Sequence, residues 1–348
     1  MICYLSRNYK GVNSAGNKAK ADVEQLMQAQ GFRNVGKRQT RYTHTLPAFF
    51  STLLSVVKGV CCLRRGDLLV LQYPLKKYYT FVCNMAHLRG CKVVTLIHDL
   101  GSFRSKRLTI PQEIERLNHS DALIVHSEAM KEWLAQHGIR GKMEVLGLFD
   151  YLSESQPATS LTPTQGCPYR LLFVGVLSER HNGFLYKLAA APHSYEMMLY
   201  GGGLETDKLQ SPVNDMGFVP SDQLIATSQG DFGIVWYGME LEGGIGPLGE
   251  YLQYNAPHKL SLYLRCGLPV IIWDKAGQAP FVRQHDIGIC VSSLAEVEGV
   301  LAKLTVDRYL EMKKNTLDIS QKLSEGFFFS RALAQACKDL DIPNNNEQ

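Results

Sequence analysis

The stretch that decides the fold is residues 254–273, YNAPHKLSLYLRCGLPVIIW, which predicts one short helix followed by a buried strand. Asn255 is suited to cap the helix, and Pro257 fits its first turn, where a missing N–H leaves no hydrogen bond unmade. Gly267 ends the helix, and the apolar run after it predicts a strand core. Lys259 is the unusual residue, because a cation in the first helical turn faces the positive end of the helix dipole. A bound anion would make that position favourable, whereas the plain alternative is a lysine that leans into solvent.

Working outward from this stretch, both halves of the chain alternate strand-like and helix-like segments. This alternation predicts parallel sheets with helices on both faces, and therefore an α/β fold of two Rossmann-like domains with a cleft between them. Residues 153–168 lack periodicity and are rich in Ser, Thr, Pro and Gln, which is typical of a linker. We predict domains at 1–152 and 169–326, and a terminal helix at 327–348 that packs back on the first domain.

The strands of the two domains are predicted from short apolar runs bounded by turn residues. The predicted strands are 2–5, 68–72, 92–97, 122–125 and 144–146 in the first domain and 170–174, 195–200, 217–219, 231–236, 270–273 and 288–291 in the second.

The composition of the 348 residues is typical of a soluble globular protein, with 45% apolar and 20% charged residues. Nine cysteines form no C-x-x-C pair, and no signal peptide is recognisable, so a cytoplasmic location is expected. The segment 46–63 is the candidate membrane span. Because it contains Ser, Thr, Lys58 and Gly59, we expect a buried or interfacial helix there, with a place in the core preferred.

The charge is divided unevenly along the chain. Residues 1–150 contain 22 Lys and Arg against 11 Asp and Glu, a net charge of +11, whereas residues 151–348 contain 15 against 22, a net charge of −7. A basic N-terminal half indicates an anionic partner. We favour a membrane surface or anionic lipid, with an ordinary solvated face as the alternative. Nucleic acid is not expected, because no nucleic-acid-binding motif accompanies the charge.

Glycines follow two strands of the second half, at Gly175 and at 201–203. Such turns let a backbone approach phosphate closely, although most single glycines only make turns. Neither turn matches G-x-G-x-x-G or the P-loop pattern, so a dinucleotide is not expected. Arg180, just past the first turn, adds a fork-shaped donor suited to phosphate. With Lys259 it gives two cations at corresponding loops of one domain.

In the first half, small residues at 13–18, with Gly16 among them, leave room above a helix N-terminus. His98 and Asp99 end the strand at 92–97, and a carboxylate beside an imidazole at such an edge suits a general base. The alternative is that Asp99 caps the next turn while His98 packs beside it. The D-x-D triplet at 339–341 belongs to a helix end, so no metal site is expected.

These residues together resemble a known family. The runs NAPHKLS at 255–261 and GLPVI at 267–271 look like the nucleotide-sugar site of GT-B glycosyltransferases, and the chain is similar to the bacterial beta-1,6-galactofuranosyltransferase-like group, which includes the glucosyltransferase acting on streptococcal serine-rich adhesin glycans. The segments SAGNKA at 14–19, IHDL at 97–100 and FGIVW at 232–236 agree in order. The resemblance implies two parallel sheets that face each other across a cleft, with the acceptor on the first domain and the nucleotide sugar on the second.

The resemblance also implies roles for residues. The donor UDP-sugar would be bound by these residues: Gly16, Arg180, Gly202, Tyr254, Asn255 and Lys259. Asp99, with His98 as its rival, would take the proton from the acceptor. Protein cations would replace a metal, and no cofactor is expected besides the UDP-sugar substrate. Leu262 departs from related enzymes, which often have a ribose-holding glutamate five residues before the glycine.

The resulting hypothesis is a metal-independent glycosyltransferase of polysaccharide biosynthesis that moves a hexosyl group from a UDP-sugar to a glycan or lipid-linked glycan. Galactofuranose is the favoured sugar, and glucose, for protein O-glycan extension, is the alternative. A non-catalytic nucleotide-sugar-binding subunit and an epimerase-like enzyme are further alternatives. Peripheral association with the inner membrane face is expected, and both a monomer and an oligomer remain open.

Overall fold

The computed structural model describes residues 1–9, 15–104, 108–158 and 168–342, which divide into two compact units. Unit 1 consists of Met1–Asp150 and the chain from Gly326 onwards, and unit 2 is Tyr151–Glu325. Tyr151 therefore belongs to the second unit rather than to a first domain ending at 152, and the terminal helix belongs to the first unit. The predicted linker lies partly at 159–167, outside the described residues.

Unit 1 is built on one six-stranded parallel sheet in the order β2-β1-β3-β4-β5-β6. Its strands are β1 (Ile2–Tyr4), β2 (Arg33–Asn34), β3 (Leu68–Tyr73), β4 (Lys92–Ile97), β5 (Ala122–Val125) and β6 (Lys142–Val145). Its helices are α1 (Ala15–Ala29), α2 (Thr45–Cys62), α3 (Tyr79–Leu88), α4 (Gly101–Arg104), α5 (Ile110–Leu117), α6 (Glu128–Gln136) and α15 (Phe327–Asp339). The central strands β3, β4 and β5 are almost wholly buried, as expected for a sheet with both faces covered.

Unit 2 is built on a second six-stranded parallel sheet in the order β12-β11-β10-β7-β8-β9. Its strands are β7 (Arg170–Val176), β8 (Glu196–Gly202), β9 (Asn214–Gly217), β10 (Phe232–Val235), β11 (Val270–Trp273) and β12 (Gly288–Val291). Its helices are α7 (Glu179–Asn182), α8 (Phe184–Ala190), α9 (Ser221–Thr227), α10 (Gly246–Tyr251), α11 (His258–Arg265), α12 (Ala279–His285), α13 (Val297–Leu301) and α14 (Val306–Glu325). The order of strands reverses between β7 and β10, which makes this the topological switch point where such sheets bind ligands.

The α/β class and the two Rossmann-like units predicted from the sequence are confirmed. The strand β2 was missed, because two residues give no periodicity to recognise. The strand predicted at 217–219 ends at Gly217 instead, where the backbone turns to φ +65°. Glycine tolerates that angle, and an L side chain does so rarely.

The terminal helix α15 is fastened to unit 1 by polar contacts as well as by packing on β5 and β6. The buried carboxylate of Asp150 accepts hydrogen bonds from the backbone N–H groups of Phe328 (3.1 Å) and Phe329 (2.7 Å). These are two of the N–H groups that a helix start leaves without a partner inside the helix. The Arg331 guanidinium donates to the Val145 carbonyl at 2.8 Å. The last helix of the chain thus packs on the sheet whose first strand begins at residue 2.

The helix α2 covers the sheet of unit 1 with only one of its faces. Ser55, Val56 and Gly59 are buried against the unit, and Ser55 accepts a hydrogen bond from the Lys37 N–H. Large apolar side chains on the opposite face are exposed. Core placement, the preferred interpretation from the sequence, is therefore wrong for that face, because the apolar stripe is wider than the surface available to cover it.

Candidate functional site

The side chain of Lys259 lies at the switch point of the unit 2 sheet. Its Nζ is 3.7 Å from the ring centroid of Phe173, on β7, and 4.9 Å from that of Tyr237, just after β10. A Cβ built on Gly175 would lie 3.6 Å from the same nitrogen, so the ammonium sits over the bare backbone of that glycine. The lysine at the start of α11 therefore turns inward to the carboxyl ends of the two central strands, instead of leaning into solvent.

The amine of Lys259 is withdrawn from water without a compensating carboxylate. The residue as a whole is half-buried, no ion pair within the described residues engages its amine, and burial alone lowers its pKa to about 7. Its two aromatic neighbours offer the negative faces of their rings, a weaker compensation than a carboxylate. A desolvated cation of this kind favours an anionic ligand, because the anion would restore the lost interaction energy.

The entrance to α11 differs from the prediction in one respect. The helix begins at His258 with Pro257 as its N-cap, and no side chain caps it. Asn255 is therefore too far before the helix to serve as the cap, and its buried Oδ1 has no hydrogen-bond partner among the described residues. An unpaired buried amide oxygen costs free energy, which a ligand donor would recover. Asn255 is thus a second indication of a ligand at this loop.

At the same sheet edge, the backbone of Gly201 lies very close to the backbone of Gly175. Gly201, near the end of β8, has φ +148°, and a Cβ built on it would lie 1.8 Å from the Gly175 carbonyl oxygen. A Cβ on the neighbouring Gly202 would meet nothing within 4 Å. Gly202 therefore borders open space, whereas Gly201 is required by the backbone itself.

Replacing Gly201 with alanine is expected to lower the free energy of unfolding by about 2–4 kcal/mol, because the added methyl overlaps the Gly175 carbonyl. Gly202→Ala is the matched control: it should leave the unfolding midpoint nearly unchanged but weaken UDP binding if the open space holds the nucleotide. Thermal unfolding and calorimetry with UDP measure the two effects. Equal stability losses in the two variants would refute the steric interpretation.

The remaining residues predicted for the donor site lie on the surface or around α11. Arg180 is exposed in the short helix α7 that follows the Gly175 turn, and no ion pair within the described residues involves it. Tyr254 is half-buried in the turn before α11, where its N–H donates to the Tyr251 carbonyl at 3.0 Å. Leu262, at the position of the usual ribose-holding glutamate, is buried within α11, so that helix face offers the ribose no acid.

In unit 1, His98 follows β4 and is held from two sides. Its Nε2 lies 2.7 Å from the Gln72 Oε1, and its ring stacks on Phe149 with centroids 5.1 Å apart. The Gln72 Nε2 donates to the Lys20 carbonyl at 3.2 Å, which orients the amide and makes its oxygen the acceptor. His98 therefore donates from Nε2, and its buried ring is a positioned group.

Asp99, directly after His98, is half-buried, and it is the more accessible of the two candidate bases. Its charge reaches His126, whose pKa is lowered to about 4 by burial and raised in part by Asp99. His126 Nε2 lies 2.9 Å from the Ile97 carbonyl oxygen. Asp99 and His98 are therefore both candidates for the base, and Asp99 is the less buried of the two.

A buried carboxyl adjoins this cluster and was not predicted. Glu24 accepts hydrogen bonds from Tyr9 Oη (2.6 Å) and Ser6 Oγ (2.7 Å), and burial raises its pKa to about 7. The Gln72 amide donates to the same Tyr9 oxygen at 3.1 Å, so the chain of contacts runs on to His98. Gly16, predicted to contact the donor, is the second residue of α1, and residues 10–14 lie outside the described part of the chain.

Sequence reasoning missed Phe173, Tyr237 and Gln72. Phe173 and Gln72 belong to buried strands, where an aromatic or a polar residue gives no functional signal of its own. Tyr237 directly follows the FGIVW segment at 232–236, and that position was the only sign in the sequence that it lies near the site. The part of the chain that the structure describes contains no group of three or more His, Cys, Asp or Glu side chains arranged for a metal.

Comparison with known proteins identifies the family of this chain. The family model for the glucosyltransferase 3-like N-terminal domain matches residues 2–148, and the one for the C-terminal domain matches residues 171–336. The beta-1,6-galactofuranosyltransferase WbbI of Escherichia coli K12 is 28% identical over 334 residues, covering 94% of this chain and 95% of its own. Glucosyltransferase 3 of Streptococcus gordonii is 28% identical over 282 residues, covering 79% of this chain and 80% of its own.

Among solved structures, Anabaena HepE in complex with UDP aligns with a TM-score of 0.60 at 14% identity, covering 98% of this chain and 99% of its own. The lipopolysaccharide outer core galactosyltransferase WaaB aligns with a TM-score of 0.60 at 13% identity, covering 97% of this chain and 99% of its own. At these identities the likeness concerns the fold, which is GT-B. Since the two family models together match most of both units, the chain belongs to the glucosyltransferase 3-like family of GT-B glycosyltransferases.

Proposed function

We propose that this enzyme transfers a hexosyl group from a UDP-sugar to a hydroxyl group of a glycan or lipid-linked glycan, with galactofuranose as the sugar. The observation that supports the proposal best is the uncompensated Lys259 ammonium over Gly175, at the sheet edge where an α/β unit binds its ligand. A nucleoside diphosphate matches this site in charge. The unpaired Asn255 Oδ1 would accept a hydrogen bond from the nucleoside, and the open space beside Gly202 would leave room for it.

In the proposed reaction, the bond between the anomeric carbon and the UDP oxygen breaks while the acceptor oxygen bonds to the same carbon. Lys259 and Arg180 would balance the charge that develops on the departing diphosphate, so that protein cations provide the electrostatic stabilisation. Asp99 would take the acceptor proton, and His98, whose direction is set by Gln72, would orient the acceptor. No metal ion is needed for these steps.

The two candidate sugars are supported by different observations. The galactofuranosyltransferase relative is 28% identical over 94% of this chain, whereas the two glucosyltransferase relatives are 28% identical over 79% and 23% identical over 97%; the combination of identity and coverage supports galactofuranose. The name of the family model favours glucose. Leu262 does not distinguish galactofuranose from glucose, because its position corresponds to the residue that contacts the ribose of UDP in related enzymes. Glucose transfer is therefore the second candidate.

The donor assignment predicts a clear difference in rates. With a panel of glycan acceptors, we expect UDP release and a product heavier by one hexose with UDP-galactofuranose, at a rate at least about tenfold above that with UDP-glucose. The measurement is initial UDP release together with product mass. Faster transfer from UDP-glucose would assign the enzyme to glucose. UDP binding with transfer to no acceptor would indicate a non-catalytic nucleotide-sugar-binding subunit, and a changed sugar without an acceptor would indicate an epimerase.

A further inference from the structure

The outward face of α2 is an apolar stripe that nothing in the described chain covers. Its exposed side chains recur on one side of the helix: Leu46 (71% exposed), Phe49 (38%), Phe50 (56%), Leu54 (51%) and Val57 (50%). Tyr42, just before the helix, and Phe81, on α3, which contacts α2, are exposed as well. We call these seven residues the α2 face. Contiguous exposed apolar surface of this kind marks an interaction site.

The α2 face lies within the most one-sided charge distribution of the chain. From residue 25 to residue 98 there are 11 Lys and Arg residues and one acidic residue, Asp67. Asp67 is buried and ion-paired with Arg33, so it offers no negative charge to a partner. Arg38 and Arg41 are exposed immediately before the helix. An aromatic-rich stripe within such a basic segment complements a surface with an apolar interior and anionic groups above it.

Two of these cations contact α2. Lys77 Nζ lies 4.8 Å from the ring centroid of Phe49, and the Arg89 guanidinium donates to the Cys61 carbonyl at 3.3 Å, at the end of α2. The helix itself is long and apolar enough to cross a membrane, with a mean hydropathy of 1.5. Its other face is packed on the sheet through Val56 and Gly59, so it is placed to lie along an interface and not to span one.

We propose that the α2 face binds the surface of an anionic lipid bilayer, with Leu46, Phe50 and Leu54 entering the headgroup region and the flanking Arg and Lys residues contacting lipid phosphates. A second copy of the chain is the less favourable occupant, because a twofold pairing would set this basic surface against itself. The proposal goes beyond the transfer reaction and does not depend on it, since membrane binding requires neither donor nor acceptor.

Co-sedimentation with vesicles tests this proposal. We expect the whole protein to bind vesicles containing phosphatidylglycerol, to bind pure phosphatidylcholine vesicles much more weakly, and to dissociate as salt is raised. The double variant Phe50→Glu, Leu54→Glu should lose at least about tenfold in partitioning, and Arg38→Glu with Arg41→Glu should lose a similar amount. Leu310→Glu, on an exposed position of α14 in unit 2, is the matched control and should bind like the wild type.

The outcomes separate the possible occupants of the α2 face. Unchanged unfolding midpoints and UDP affinities in the variants exclude misfolding as the cause of lost binding. Equal binding of wild type and the Phe50, Leu54 variant overturns the proposal, as does equal binding to both kinds of vesicle. If no vesicle binding occurs and light scattering shows an oligomer that the double variant dissociates, the face is a contact between copies and the lipid proposal is wrong.

Discussion

Replacing Asp99 with asparagine is expected to lower turnover by about 10²–10⁴-fold, the range associated with losing a general base. The amide keeps the size of the carboxylate but cannot accept the proton that the acceptor hydroxyl loses as the new glycosidic bond forms. UDP affinity should stay nearly the same, because the proposed ligands of the diphosphate are Lys259 and Arg180 and not Asp99. Initial rates of UDP release at saturating donor and calorimetric titration with UDP measure the two quantities.

A control is needed because any charge change in unit 1 alters its electrostatics. Glu115→Gln, an exposed carboxylate on α5, makes the same change of charge away from β4 and should retain full turnover. His98→Gln should lower both turnover and stability, since the buried ring stacks on Phe149 and bonds to Gln72. Full activity of Asp99→Asn would show that Asp99 is not the base and would leave His98 as the candidate.

Replacing Lys259 with methionine is expected to weaken UDP binding by about 10- to 100-fold, since a charge-assisted hydrogen bond contributes roughly 1.5–3 kcal/mol. Methionine keeps an unbranched side chain against Phe173 and Tyr237 but removes the ammonium. Isothermal titration calorimetry measures the affinity. Lys303→Met, an exposed lysine in the same unit, should bind UDP like the wild type. An unchanged affinity in Lys259→Met would contradict the diphosphate assignment.

The pKa of Lys259 near 7 gives this prediction a pH dependence with a definite sign. A bound diphosphate stabilises the protonated amine and raises its pKa, so binding takes up a proton wherever the free amine is neutral. UDP affinity should therefore fall between pH 7 and 9 in the wild type and remain flat in Lys259→Met. Without UDP, the lowered pKa of Lys259 affects how the free energy of unfolding depends on pH. The folded pKa lies below the unfolded one, so the folded state binds fewer protons from pH 7 to about 10, and stability rises with pH in that window.

The fold was accessible from the sequence because it depends on local periodicity. Ten of the predicted strands overlap an observed strand by more than one residue, and the predicted bounds of β4, β5, β11 and β12 coincide with the observed ones. The two-residue strand β2 was beyond such reasoning, since its pairing with β1 is made by backbone alone. The helix start at His258 was also missed. Asn255 has the chemistry of a cap, but the chain stays extended through Pro257, and nothing in the local sequence distinguishes the two starts.

By itself the sequence determined the alternation of strands and helices, the glycine turns, the family and the uneven charge. Each of these is a property of residue type and spacing along the chain. Only the tertiary structure decided that Lys259 is desolvated, because the rings beside it come from β7 and from the end of β10. It likewise decided that α2 turns an apolar stripe outward, because burial depends on which surfaces remain to cover a helix face. The charge and apolarity of a side chain are fixed by its residue type, whereas its exposure to solvent depends on neighbours that are distant in the chain.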